Sequence, residues 1–135
     1  MQLKYNAPVA KVWQAITDSS AMKHWYFDIR DFQLQEGAVF NFYEPGGKNQ
    51  FYHQCKIIEI IPLKKFQHTW AYPQITSGET LITWELVEVG SKTQLQFSHQ
   101  GIECFAACGD TFAFQQFEAG WQEILEKSLK NYVET

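Results

Sequence analysis

Apolar residues recur along this chain with two different periods, and the change from one to the other divides it into helical and extended parts. Residues 2–6 read as a short strand that Asn6-Ala7-Pro8 breaks. Pro8 suits the first turn of a helix. Val9, Val12, Trp13 and Ile16 then follow helical spacing, which predicts an amphipathic helix over 8–17. Thr17-Asp18-Ser19-Ser20 supplies capping chemistry for a second short helix, about 20–26, carrying Met22, Trp25 and Tyr26. From residue 29 the period becomes two. Ile29, Phe32 and Leu34 suggest a strand ended by Gln35-Glu36-Gly37, and Ala38, Phe40 and Phe42 alternate with Val39, Asn41 and Tyr43. Pro45-Gly46-Gly47-Lys48-Asn49 is a turn. A long strand over about 51–61 stops at Pro62. Phe66, His68 and Trp70 then oppose Lys65, Gln67 and Thr69, and Ile82, Trp84 and Leu86 oppose Thr83, Glu85 and Val87. Glu88 to Lys92 makes a hairpin turn, after which Leu95, Phe97 and His99 oppose Gln94, Gln96 and Ser98.

Residues 100–109 read as a loop with two glycines and room for one helical turn, and the segment over about 110–133 as one long helix that Asp110 can cap. Phe114, Phe117, Trp121, Ile124, Leu125, Ser128 and Tyr132 form its apolar stripe. The order is strand, two short helices, about six consecutive strands, then a long helix. Hairpins imply an antiparallel sheet with one covered face, and a long amphipathic helix can cover it. A curved sheet around a helix too narrow to fill it leaves a pocket, so the pattern predicts an α+β domain with a cavity inside.

Composition narrows the function. The 135 residues suit a single domain over 1–135. The net charge of −4 argues against nucleic acid, whose phosphates demand clustered positive charge. No apolar run approaches a membrane span, so stable membrane insertion is not expected. The first residues lack a basic-then-apolar leader, and Cys55, Cys104 and Cys108 are few and odd in number, which predicts a cytoplasmic protein. Aromatic residues reach 16%, enough to build a core and also line a pocket.

Ala7-Pro8-Val9-Ala10-Lys11-Val12-Trp13-Gln14-Ala15-Ile16-Thr17-Asp18, followed by His24-Trp25-Tyr26, resembles the opening of the SRPBCC superfamily, which includes START-type and birch-pollen-allergen-like proteins. Within it the chain is most similar to the AHSA1-like branch, named after the activator of the Hsp90 ATPase. Glu36-Gly37, Ile57 to Pro62 through Thr69-Trp70, Ser98-His99-Gln100-Gly101, and Gly120-Trp121 with Leu125 and Tyr132 agree with that branch in order. The resemblance implies a helix-grip fold: a strongly curved antiparallel sheet of about six to seven strands wrapped around a long C-terminal helix, with two short helices after the first strand. It implies no single activity, because members include ligand carriers, cyclases and chaperone regulators. Cys55, Ile102, Cys104, Phe105 and Cys108 depart from the pattern at places that could line or gate the cavity.

The leading expectation is a binder of an apolar or amphipathic small molecule. Trp70, Trp84, Phe97, Phe114, Phe117 and Trp121 would form the wall, His68 and His99 the polar handles, and loop 100–112 the lid. The competing reading of those histidines is core packing with local hydrogen bonds. Cys104, Cys108 and His99 could be read as zinc ligands, but there is no CxxC and no second pair. The sequence contains no activated nucleophile, metal cage or phosphate loop, so no catalytic residue, metal or cofactor is expected. Two alternatives stand beside this one. One is regulation of a chaperone ATPase through surface contacts. The other is a cyclase or hydratase using His68 or His99 as base. An exposed edge strand could also pair two copies into a homodimer.

Overall fold

The period-two segments pair into one antiparallel sheet of six strands, curved and open, in the computed structural model, which describes residues 1–135. The strands are β1 (Gln2–Tyr5), β2 (Val39–Tyr43), β3 (Tyr52–Ile61), β4 (Lys65–Ala71), β5 (Glu79–Val89) and β6 (Lys92–Gln100). Their order is β1-β6-β5-β4-β3-β2, so β1 and β2 are the edges. Helices α1 (Val9–Thr17) and α2 (Ser19–Trp25) follow β1. Asp18 caps α2 by accepting from the Ser20 N–H at 2.9 Å. Gly90, at φ +62°, turns the β5–β6 hairpin in the left-handed conformation that matches strand twist. A register shift between Ile57 and Glu59 bends β3.

Register places two aromatic rows on the inner face. Phe66 pairs with Trp84 and Trp84 with Phe97, while His68 pairs with Ile82 and Ile82 with His99. Burying these rows against the C-terminal helix is the main source of cohesion, since each ring removes roughly 150–250 Å² from water.

Two elements differ from the pattern-based expectation. Residues 29–34 are not a strand. Ile29 is buried, but the Asp31 carboxylate accepts from the backbone N–H of Asn41 at 3.1 Å and from its side-chain amide at 3.0 Å. A side chain thus takes the β2 donor that a ladder partner would have used. The C-terminal helix also begins later and is less regular than expected. Residues Ile102–Cys108 and Asp110–Phe112 form tight 3₁₀ turns, separated by Gly109 at φ +106° and preceded by Gly101 at φ +89°. Asp110 opens one of these turns and makes no helix cap. Ile102, Phe105 and Phe112 are buried, so the expected loop is folded down onto the core.

Helix α3 (Phe114–Glu123) then runs into a π-helical segment, Ile124–Leu129, and a last turn, α4 (Lys130–Val133). The buried stripe is Trp121, Leu125, Leu129 and Val133, each four residues after the last. On a regular α-helix that spacing drifts about 40° per step away from one line. The wider turn of the π segment opposes the drift and keeps the stripe on the sheet. The altered ladder is supported by Tyr5, whose hydroxyl donates to the Leu125 carbonyl at 2.8 Å. No helix is long and apolar enough to cross a membrane.

Candidate ligand site

His68 and His99 stand side by side on the curved face, separated by Ile82, and each sits in a hydrogen-bonded chain. Trp84 Nε1 donates to His68 Nε2 at 3.2 Å, and the opposite nitrogen, Nδ1, donates to the Thr69 carbonyl at 2.8 Å. Trp121 Nε1 donates to His99 Nδ1 at 3.1 Å. His99 Nε2 then donates to Thr80 Oγ1 at 2.7 Å, and that hydroxyl donates to the Trp70 carbonyl at 2.7 Å. The indoles therefore assign opposite tautomers to two neutral rings. Burial drives the His68 pKa down to about 4, and burial, then the neighbouring His68, drives that of His99 down to about 3. Neither ring has a nitrogen free to take a substrate proton without losing a bond.

An apolar recess of about 250 Å³ opens where the end of β6, the first 3₁₀ turn and α3 meet. Phe97, Trp121 and Ile102 are its buried surfaces, with Phe117 and His99 beside them. Phe114 is 58% exposed, and Glu118, Ser98 and Met1 complete the lining. Phe97 and Trp121 are in contact, with centroids 4.5 Å apart, and Phe117 meets His99 edge-on at 5.2 Å. Of the residues expected to line the site, the fold gathers Phe97, His99, Phe114, Phe117 and Trp121 here. His68, Trp70 and Trp84 are buried in the core and do not reach the recess. Trp70 instead donates its indole N–H to the Tyr72 hydroxyl at 2.9 Å. The recess gains Ile102, Ser98, Glu118 and Met1. Ile102 carried a signal as a departure from the branch pattern; the others carried none.

The expected lid is closed down rather than hanging free. Phe105 is fully buried, stacked on Phe117 at 5.9 Å and edge-on to Tyr72 at 5.2 Å. Cys104 packs tightly over Gly78, where a Cβ would stand 2.8 Å from the Cys104 sulfur. Cys104 is exposed and Cys108 half-buried, both as free thiols, and His99 is committed to Trp121 and Thr80. Cys55 is sealed in the core, and burial pushes its thiol pKa well up, away from the thiolate that nucleophilic chemistry needs. A larger cleft of about 730 Å³ lies between the β2–β3 hairpin and residues 26–31, and it is rimmed by charge. Its carboxylates already have partners: Asp31 on Asn41, Glu44 on the Gln50 and Phe51 N–H groups, and Asp28 on Arg30.

The family described as Activator of Hsp90 ATPase homolog 1-like protein matches residues 6–134. The chain belongs to that family. Similar solved structures include CalU16 from Micromonospora echinospora, with 21% identity over 98% of this chain and 73% of that one, at a TM-score of 0.75. Protein CV1439 from Chromobacterium violaceum shares 19% identity over 100% and 96% of the two chains, at 0.78. The Aha1 dimer from Colwellia psychrerythraea shares 25% over 99% and 93%, at 0.73. None of the curated proteins matches. These likenesses establish the helix-grip fold for this AHSA1-like domain. Its recess lies at one end of the grip, and Ile102, one of the residues that depart from the branch pattern, lines it.

Proposed function

We propose that this AHSA1-like domain binds an apolar or amphipathic small molecule in the recess between β6, the 102–108 turn and α3. One observation carries the reading: five large apolar or aromatic side chains, Phe97, Ile102, Phe114, Phe117 and Trp121, line one open space, with His99, Ser98 and Glu118 as its polar groups. A ring settling there exchanges water for aromatic surface, which contributes roughly 25 cal/mol per Å². The test is an NMR titration with p-xylene. Resonances of Phe97, Ile102, Phe117 and Trp121 should shift together. Phe117→Ala, which removes on the order of 50 Å² of contact, should weaken binding about tenfold. Half-buried Phe117 can be truncated without breaching the core. An unchanged affinity, or shifts scattered elsewhere, overturns the reading.

The family match and the 25% identity to a protein described as an Aha1 dimer favour a second reading, in which the domain regulates a chaperone ATPase through surface contacts and pairs with a second copy. Exposed Val87 and Val89 on β5 offer apolar surface for such contacts. Added to purified Hsp90, the protein should raise ATP hydrolysis several-fold. A flat rate at saturating protein refutes this second reading and leaves the first intact.

A further inference from the structure

The charged cleft of about 730 Å³ beside the β2–β3 hairpin shares no lining residue with the apolar recess. Its two walls differ in charge. One wall is the end of α2 and the segment after it, where Arg30 and Asp28 pair at 3.3 Å and cancel. That leaves Lys23, which is exposed and makes no ion pair. The other wall is the hairpin, which carries Glu44. Asp31 reaches across to Asn41 of that hairpin, with bonds of 3.1 and 3.0 Å, and brings a second carboxylate to its side.

Both carboxylates are fixed in place. Glu44 accepts from the Gln50 and Phe51 N–H groups at 2.9 Å each, and these bonds hold its carboxyl below the usual pKa range. Two accepted bonds do not exhaust a carboxylate, which offers about four lone-pair sites. Asp31 and Glu44 can therefore each take a further donor. The hairpin also gives the cleft aromatic surface: Tyr43 and Tyr52, paired across β2 and β3 with ring centroids 5.2 Å apart, both line it.

Tyr26 supplies an independent observation. It lines the same cleft, three residues after Lys23. Among the buried side-chain nitrogens and oxygens of this protein, its hydroxyl is alone in having no hydrogen-bond partner. Folded proteins rarely leave such a group unsatisfied, and phenylalanine would fill the same space without the penalty. An O–H without an acceptor, close to an ammonium without a carboxylate, calls for an anionic oxygen.

We propose that this cleft is a second binding site, for a small zwitterion built on an aromatic ring, the chemical class of the aromatic amino acids. The guest's carboxylate pairs with Lys23 and accepts from the Tyr26 hydroxyl, its ammonium donates to Asp31 and Glu44, and its ring lies on Tyr43 and Tyr52. The two walls decide the class. A bare anion meets two uncompensated carboxylates, and a bare cation leaves Lys23 and Tyr26 unserved. The site stands or falls independently of the recess.

The experiment is an NMR titration with L-phenylalanine, 3-phenylpropionate and 2-phenylethylamine, which carry the same ring with both charges, the carboxylate alone or the ammonium alone. L-Phenylalanine should shift resonances of Lys23, Tyr26, Tyr43 and Tyr52 together and bind at least tenfold more tightly than either of the others. Lys23→Gln, a surface change, and Tyr26→Phe should each weaken L-phenylalanine at least fivefold and leave 2-phenylethylamine unaffected. Equal affinity for the three compounds overturns the pairing of charges. Unchanged L-phenylalanine affinity in Tyr26→Phe overturns the part given to the hydroxyl. No binding of L-phenylalanine, or shifts confined to Phe97, Phe117 and Trp121, overturns the site, and the second of these results places the guest in the recess instead.

Discussion

Lowering the pH from 7 to 4 should unfold this domain, with most of the loss falling between about pH 6.5 and 4. Two histidines, His53 and His68, are buried in neutral form, and half-buried His99 is held neutral beside them. Burial lowers the pKa of His53 from 6.5 to about 4, that of His68 likewise to about 4, and that of His99 to about 3. In each case the unfolded chain, near 6.5, takes a proton that the folded protein refuses. The contribution to stability is therefore complete above 6.5 and is lost as pH falls toward the folded value. Each group removes about 1.4 kcal/mol per pH unit, so His53 and His68 cost about 3 kcal/mol apiece by pH 4, with His99 acting in the same direction. A domain stable by only about 5–15 kcal/mol cannot absorb that loss easily. Glu44 and Glu134, held low by backbone and lysine contacts respectively, push in the same direction at the acid end. Urea unfolding at pH 7.5, 6 and 5 reads the slope directly. A stability that stays level from pH 6.5 to 5 would mean that the rings are charged inside the fold, and the assigned hydrogen-bond chains would be wrong.

Replacing Trp84 by alanine should cost about 5 kcal/mol. The indole is 2% exposed and is clasped by Trp25, Tyr26, Phe97 and Trp121 at near-perpendicular angles. Emptying a core site of that size costs about 3–5 kcal/mol through lost burial and the residual cavity. The substitution also strips His68 Nε2 of its donor, and an orphaned buried acceptor adds about 1–3 kcal/mol. Trp84→Phe keeps much of the ring packing but not the N–H, so it should fall between the two proteins. Denaturant curves of the three settle the apportionment: a Trp84→Phe protein as stable as the wild type would show that the indole–histidine bond contributes nothing.

The residues expected to line a pocket were only partly legible in the sequence. That Phe97, His99, Phe117 and Trp121 meet was legible because period two in β6 and period three-to-four in the last helix aim them at each other, and all four line the recess. His68 and Trp84 obeyed the same alternation, yet they belong to the core. Alternation gives the face of a strand but not the depth beneath the helix, and depth separates a ligand wall from packing. Phe114 lay on the predicted stripe but ended on the rim, because Gly109 and extended Ala113 delay the helix until Phe114 itself.

Taken alone, the order of hydrophobic periods determined the class of this protein: hairpin-linked strands with one apolar face, two short helices near the start, and an amphipathic helix at the end. That follows from local geometry, since side chains alternate along a strand and line up every three or four residues along a helix. Tertiary structure decided what the local rules leave free. It cancelled a strand at 29–34 when Asp31 captured the Asn41 donor, and it placed the π turn that keeps Leu125 and Leu129 against the sheet. It also filled the centre of the grip with the rings of Tyr26, Trp84, Phe97 and Trp121 and left the apolar recess at one end. Volume left unfilled is a property of all the side chains packed together, and no single stretch of sequence carries it.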